Sequence, residues 1–363
     1  MNRRLLLGLT TSALVTVAAT FAACAESGAG HESTGGSGGS GAATSTGGGT
    51  TSTTSGSGGD DFDAGLNDAE PLPPPKLYAH TADTLYQADP EVTPLALVEV
   101  GKCDCLGGAG QSASMTDLAV DADGNLVAIS TKNFYKLQIQ GSTVHCATVT
   151  PLNNPTGIQF YGLTFAPKGV LAPDEEVLVA GNTAGELWAI DAQGNLEQHG
   201  TLGVVPADDG HGHTYDNAGQ IWELSGDILF VANDGNPIGF ATVRDCPTPP
   251  SPAGCNPVDT LIELDIGALA AATTQPVVKT VRGQIVKRTG CNDGVTGDYG
   301  NLYGIAAWKS SVFGFSRLPQ NAGGFAVDVS IADGTACAID TALDVAWYGA
   351  GISTLAKVDE PPN

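Results

Sequence analysis

Over residues 76–358 the apolar positions come in short runs broken by Gly, Asn and Asp, rich in Val, Ile, Phe, Tyr and Trp. Such runs predict strands. Only the stretch near 267–274 reads as helix, and it is short. A small-residue strand, a tight turn and a second apolar strand recur four times. Asp117–Val120 precedes Asp123-Gly124 and Asn125–Ile129, and Tyr161–Phe165 precedes Glu176–Ala180. Gln220–Leu224 precedes Ser225-Gly226 and Asp227–Val231, and Tyr303–Trp308 precedes Lys309-Ser310 and Ser311–Phe315. Third strands such as Leu187–Asp191 and Leu261–Asp265 follow, then fourth strands such as Val277–Val281.

The unit is a four-stranded meander with a period of about 45 residues, the size of a propeller blade. Small residues suit the first strand, which crowds the axis. Gly351–Leu355 is a first strand with nothing after it, while the domain opens with three strands, Lys76–Ala79, Thr84–Gln87 and Ala96–Val100. A last blade built from both chain ends repairs both deficits and leaves no open sheet edge. The expected fold is all-β, a single β-propeller of five four-stranded antiparallel blades over 76–358. Six blades is the alternative, because 220–304 is long enough for two.

Three segments carry a likeness: Tyr161-Gly162-Leu163-Thr164-Phe165-Ala166-Pro167, Tyr303-Gly304-Ile305-Ala306-Ala307-Trp308 with Val312-Phe313-Gly314-Phe315, and Trp347-Tyr348-Gly349-Ala350-Gly351. Here the chain resembles the predicted propeller lipoproteins numerous in myxobacteria. The resemblance implies a fold and an address, and no activity.

The N-terminus gives the address. Arg3 and Arg4 precede an uncharged apolar stretch, Leu5–Phe21, which ends in Phe21-Ala22-Ala23-Cys24. This is the order of a secretion signal, 1–23, and it resembles a bacterial lipoprotein precursor. That likeness implies that Cys24 is lipidated and becomes the mature N-terminus, anchored to a bacterial membrane outside the cytoplasm, the outer membrane or cell surface. Residues 24–75 then form a tether. A Gly/Ser/Thr/Ala segment leads into Asp60, Asp61, Asp63, Asp68 and Glu70, and then into Pro71, Pro73, Pro74 and Pro75. Too little of it is apolar to offset ordering entropy, and it spans about 40 Å on average. Residues 359–363 are a tail.

The chain carries 15 bases, 39 acids and a net charge of −24, and losing Arg3 and Arg4 with the signal takes the charge to −26. Such a surface repels phosphate backbones, so no nucleic-acid partner is expected. A monomer is.

An exported chain meets oxidising conditions, so its cysteines should pair. Repeat position suggests how. Cys291 precedes a first strand and Cys337 lies in or near that blade's fourth. Cys105, or alternatively Cys103, stands to Cys146 in the same relation. Cys246 and Cys255 flank a Pro-rich loop and close it. The zinc reading of Cys103-Asp104-Cys105 meets a spacing one residue too short.

Two loops offer chemistry. Asp208, Asp209, His211, His213 and Asp216 fall within ten residues with Asn217, and could hold a divalent cation, calcium or a transition metal. Asn292-Asp293-Gly294 with Asp298 and Asn301 precedes a first strand, where loops open at a mouth of the central channel. Asp117, Asn217, Asp298 and Asn301 are the channel-mouth candidates. No Gly-x-Ser-x-Gly elbow, phosphate loop or paired metalloprotease histidines occur in the sequence, so no catalytic residue can be named. Two readings follow: a displayed binding or scaffold module for a protein or glycan, and, as the alternative, a metal-dependent propeller hydrolase or lactonase with a cation in the channel.

Overall fold

The computed structural model describes residues 75–154, 156–247, 253–271, 274–318, 323–340 and 345–359. The signal, Cys24 and nearly all of the tether lie outside these residues, as do 360–363 of the tail.

The described chain opens with β1 (Leu77–His80), β2 (Thr84–Ala88) and β3 (Val98–Cys103). A meander of β4 (Asp117–Val120), β5 (Leu126–Ile129), β6 (Asn133–Gln140) and β7 (Thr143–Pro151) follows. The next is β8 (Phe160–Ala166), β9 (Val177–Asn182), β10 (Glu186–Ile190) and β11 (Leu196–Thr201). After it come β12 (Glu223–Val231), β13 (Ile238–Arg244), β14 (Thr260–Leu264) and β15 (Val278–Gln284). The last full meander is β16 (Leu302–Trp308), β17 (Ser311–Ser316), β18 (Ala326–Ser330) and β19 (Ala336–Asp340), and β20 (Gly349–Ile352) ends the series. The expected helix is the single turn α1 (Ile266–Leu269), where the Asp265 carboxylate caps the Ala268 N–H at 3.3 Å.

β20 pairs with β1 from Leu77↔Ile352 to His80↔Gly349, so the two ends of the domain share one sheet. The first strands stand side by side in a closed order: β4 beside β8, β8 beside β12, β12 beside β16, β16 beside β20, and β20 beside β4. This cycle is the arrangement of a β-propeller. The sheets, however, are four and not the expected five. Three have four strands; the fourth has eight, in the order β20-β1-β2-β3-β7-β6-β5-β4. A short parallel pairing of Lys102-Cys103 with Thr143-Val144 fuses the first two meanders at their outer strands.

A second difference lies in β12. Ser225-Gly226 reads as a turn between two strands, yet Glu223–Val231 is one strand with a bulge, paired to β13. A Cβ on Gly226 would overlap the backbone of Leu302 and Tyr303 on β16. The glycine is there for close approach at the axis. Gly304 on β16 stands likewise against Gly349 and Ala350 of β20.

Between sheets the buried apolar side chains form four clusters. Trp347 is fully buried and meets Tyr86 and Phe315 edge-on, with ring centroids 5.2 and 5.5 Å apart. Two hairpins are closed by an aspartate. In Asp121–Asn125 and Asp191–Asn195 the aspartate accepts the backbone N–H groups two and four residues on, and the asparagine amide donates to its second oxygen. These Asx turns are why Asp-x-x-Gly-Asn recurs.

Three disulfides join Cys105–Cys146, Cys246–Cys255 and Cys291–Cys337, spanning 41, 9 and 46 residues. On chain entropy the two long ones contribute about 4 kcal/mol each. Together they point to a compartment outside the cytoplasm. Cys103 is the leftover thiol, 3.6 Å from the Met115 sulfur, and burial pushes it up to about 12. No helix among the described residues is long and apolar enough to cross a membrane.

If first-strand crowding sets the fold, Gly304→Ala should cost about 1–3 kcal/mol through overpacking. Gly108→Ala, where a Cβ meets nothing closer than 3.7 Å, should stay within about 0.5 kcal/mol of wild type. Urea unfolding of the two variants checks this; equal midpoints would contradict it.

Candidate functional site at one mouth of the strand ring

The first strands run in one direction, so their N-terminal ends lie together. Bulges decide what those ends present. The β8–β9 register shifts between Phe160 and Gly162 and leaves Tyr161 as the extra residue. The β16–β17 register shifts between Leu302 and Gly304 and leaves Tyr303. Tyr348 immediately precedes β20. Each tyrosine is followed by a glycine that lets the strand close on its neighbour, while the ring stays half-buried.

Arg317, at the end of β17, completes the cluster. Its backbone N–H donates to the Asn301 carbonyl at 3.0 Å. Its guanidinium carbon lies over the Tyr303 ring at 3.9 Å and over the Tyr348 ring at 4.3 Å from the centroids. Such cation–π contacts hold the group by its face and leave its in-plane N–H donors at the edge. Tyr161 is close enough to feel both: burial raises its phenol, Tyr303 adds to the rise and Arg317 opposes it. Its hydroxyl donates to the Gln159 amide oxygen at 2.6 Å. Among the described residues no carboxylate pairs with Arg317.

Arg244, nearby, is paired. Its Nε donates to Asp259 at 2.9 Å and its Nη2 to Asn301 Oδ1 at 2.6 Å. Asp259 also accepts the Leu302 N–H at 2.7 Å, which fixes the start of β16.

Further along the axis two carboxyls are sealed in. Asp117 at the head of β4 and Asp227 in the β12 bulge have no exposure. Asp117 accepts the Leu163 N–H of β8 at 2.5 Å. Asp227 accepts its neighbour Ile228 N–H and the Ile305 N–H of β16, both at 2.6 Å. The two carboxyls lie close enough to act on each other. Burial raises both, and the Asp227 charge raises Asp117 further. Backbone N–H donors oppose the rise on both carboxyls. His80, fully buried, donates from Nδ1 to the Thr81 carbonyl at 2.6 Å, which leaves Nε2 bare and 4.0 Å from Asp117 Oδ1. Burial lowers this imidazole to about 4. A ring held neutral by burial makes no salt bridge with Asp117, and among the described residues neither His80 Nε2 nor Asp117 Oδ1 has a hydrogen-bond partner.

The residues singled out from sequence are placed as follows. Asp209 is buried and accepts from the His211 and His213 N–H groups, the His213 ring and the Gln284 N–H. Burial alone would raise it; these bonds outweigh that and hold it at about 2. Asp208 accepts the Gly210 N–H at 3.0 Å, while His211 and Asp216 are exposed. Thus Asp208, Asp209, His211, His213 and Asp216 do not bring three ligand atoms together. Only two such groups occur among the described residues, Asp104 with Cys105 and Cys146, and Glu223 with Cys246 and Cys255. In both, the sulfurs are committed to disulfides. Asn217 bonds Asp245 and Gly254, and Asp298 accepts the Lys287 N–H. Asn301 is at the mouth, its amide oxygen taken by Arg244. Asp293 is held well below the usual carboxylate range: burial opposes this, but Lys287, Tyr299 and two backbone N–H groups outweigh it. Of the channel-mouth candidates, only Asp117 belongs to the axial pair. Sequence reading missed Asp227 and Arg317; the Tyr-Gly pairs were the available signal for the mouth.

No family model and no curated protein matches this chain. Among solved structures it is similar to the Dos1 propeller, at 12% identity and a TM-score of 0.31 over 69% of this chain and 52% of that one. It is similar to a chain of a nidogen/laminin complex at 9% and 0.39, over 78% and 99%. Against Kuenenia stuttgartiensis hydrazine synthase the values are 10% and 0.31, over 61% and 47%, so the chain spans about half of that protein's length. The fold rests on the chain's own strand order and on the terminal strands that close it.

The axial pair makes a pH prediction. A carboxyl raised on folding stabilises the protein at low pH, and that contribution is lost as pH rises from the unfolded value through the folded one. His80 acts oppositely between 4 and 6.5, so the two offset each other there and the carboxyl loss stands alone above pH 6.5. Asn at position 117 keeps an acceptor for Leu163 without titrating. Asp117→Asn should therefore flatten the fall in stability above pH 6.5. Denaturant titrations across that range check it; parallel wild-type and variant curves would contradict it.

Proposed function

We propose that the protein is a lipid-anchored binding module working outside the cytoplasm. In this reading the meanders are five blades. β20 with β1–β3 forms the closing one, and the β3–β7 pairing is a local bridge between two blades. The Tyr161–Tyr303–Arg317–Tyr348 mouth is the binding site, and its ligand is a protein or glycan. The observation that carries this is Arg317, laid over Tyr303 and Tyr348. Aromatic rings and arginine are the groups that dominate recognition surfaces, because they offer large rigid contact area with directed donors. Removal of 1–23, lipid on Cys24 and a tether of about 40 Å on average would hold a monomeric propeller clear of the outer membrane or cell surface.

The cation-centred hydrolase or lactonase asks Asp117, Asn217 and Asn301 to converge on one ion. Asn217 is instead bonded to Asp245 and Gly254 and Asn301 to Arg244, while Asp117 is sealed on the axis with one oxygen on Leu163. No specific observation favours it.

Two measurements test the reading. In a bacterial host, labelled palmitate should enter wild type and not Cys24→Ser; label in both would remove the anchor. Screened against glycans and envelope proteins, the full chain should find a ligand whose affinity falls at least tenfold in Tyr303→Ala/Tyr348→Ala, with folding checked by melting. A ligand indifferent to that pair would remove the mouth.

A further inference from the structure

We infer that this mouth takes a carboxylate-bearing sugar: one uronate unit of an otherwise neutral glycan, its carboxylate on the in-plane edge of Arg317. The inference rests on the mouth being the binding site and adds the ligand's chemistry.

The described arginines are 244, 282, 288 and 317. The first three are paired, Arg244 with Asp259, Arg282 with Glu263 and Arg288 with Asp328. Among the described residues Arg317 is the exception. Its only described side-chain contacts are two aromatic faces. A guanidinium has five donors in one plane. Stacking satisfies the face and spends none of them, so the fork is oriented in advance for a planar, two-oxygen acceptor.

Carboxylate and phosphate both fit such a fork. The surroundings choose between them. The chain's net charge is −24, which disfavours a dianion more than a monoanion. Arg244, the next cation, is occupied by Asp259 and Asn301. One open cation matches one carboxylate, and a run of acids along a peptide would find no second partner. Around Arg317 stand three tyrosines and the exposed Gln159, which already bonds the Tyr161 hydroxyl. Amphipathic rings offer a flat apolar face and a polar rim. A pyranose matches this, with C–H groups on its face and hydroxyls at its edge; an acidic side chain on a peptide has no such face.

The test is calorimetric titration of the full chain with a glucuronate-capped xylo-oligosaccharide, its carboxyl-reduced counterpart and a glutamate tripeptide. The expected result is binding of the acid sugar, at least tenfold weaker for the reduced sugar and for the peptide. Arg317→Lys, which keeps the charge and loses the planar fork, should weaken the acid sugar at least tenfold and leave the reduced sugar unchanged. If Arg317→Gln lowers the melting temperature, the Lys variant decides. Equal affinity for acid and reduced sugars, an unchanged Arg317→Lys, or tighter peptide binding would each overturn the inference. So would failure of wild type to bind the acid sugar at all. If some other ligand still depends on Tyr303 and Tyr348 in those cases, the mouth stands and only the uronate falls. If no ligand depends on the tyrosines, the mouth itself falls.

Discussion

Everything in this molecule depends on how closely the first strands approach one another. β4, β8, β12, β16 and β20 form a cycle with no seam, because the last of them pairs with β1 from the start of the domain. Where the strands meet, there is no room for Cβ: Gly226 faces Leu302 and Gly304 faces Ala350. Backbone donors that would be orphaned there are taken by side chains from the neighbouring strand. Asp117 takes Leu163, Thr164 takes Phe230 at 2.9 Å, and Asp227 takes Ile305. Two carboxyls thus replace ladder hydrogen bonds at the axis.

The same geometry makes the mouth. A bulge at the head of a first strand cannot push its side chain into the packed axis, so Tyr161 and Tyr303 are turned outward at one end, where Tyr348 joins them. Arg317 reaches the group because β17 runs back from β16 and ends beside it. In an acidic chain the few cations are mostly bound by local carboxylates, and the acids themselves are largely absorbed by Asx turns and loop anchors. Arg317 is held by rings instead.

Much of this was legible in the sequence. Small-residue first strands, the unfinished last strand and the three-strand start lead to terminal closure; repeat position leads to Cys291–Cys337 and leaves Cys105 and Cys103 as alternatives for Cys146, between which the structure chooses Cys105. Other features were not legible, for physical reasons. Ser225-Gly226 has turn composition, and only contact with β16 shows that Gly226 serves packing and that Asp227 points to the axis. The fusion of two meanders rests on two residues of each strand, too few to pattern. The loop 208–217 has the composition of a metal site, but Asp209 is spent on its own backbone and on His213, which local spacing does not reveal. Arg317 and Tyr348 are far apart along the chain, so no motif joins them.

The central claim is that the chain ends seal one ring. Native-state hydrogen exchange of peptides covering 76–88 and 345–358 tests it most directly. The account predicts that the two segments are protected together and open in one cooperative step with the segment covering β4. Rapid exchange of 345–358 while 76–88 remains protected would contradict it.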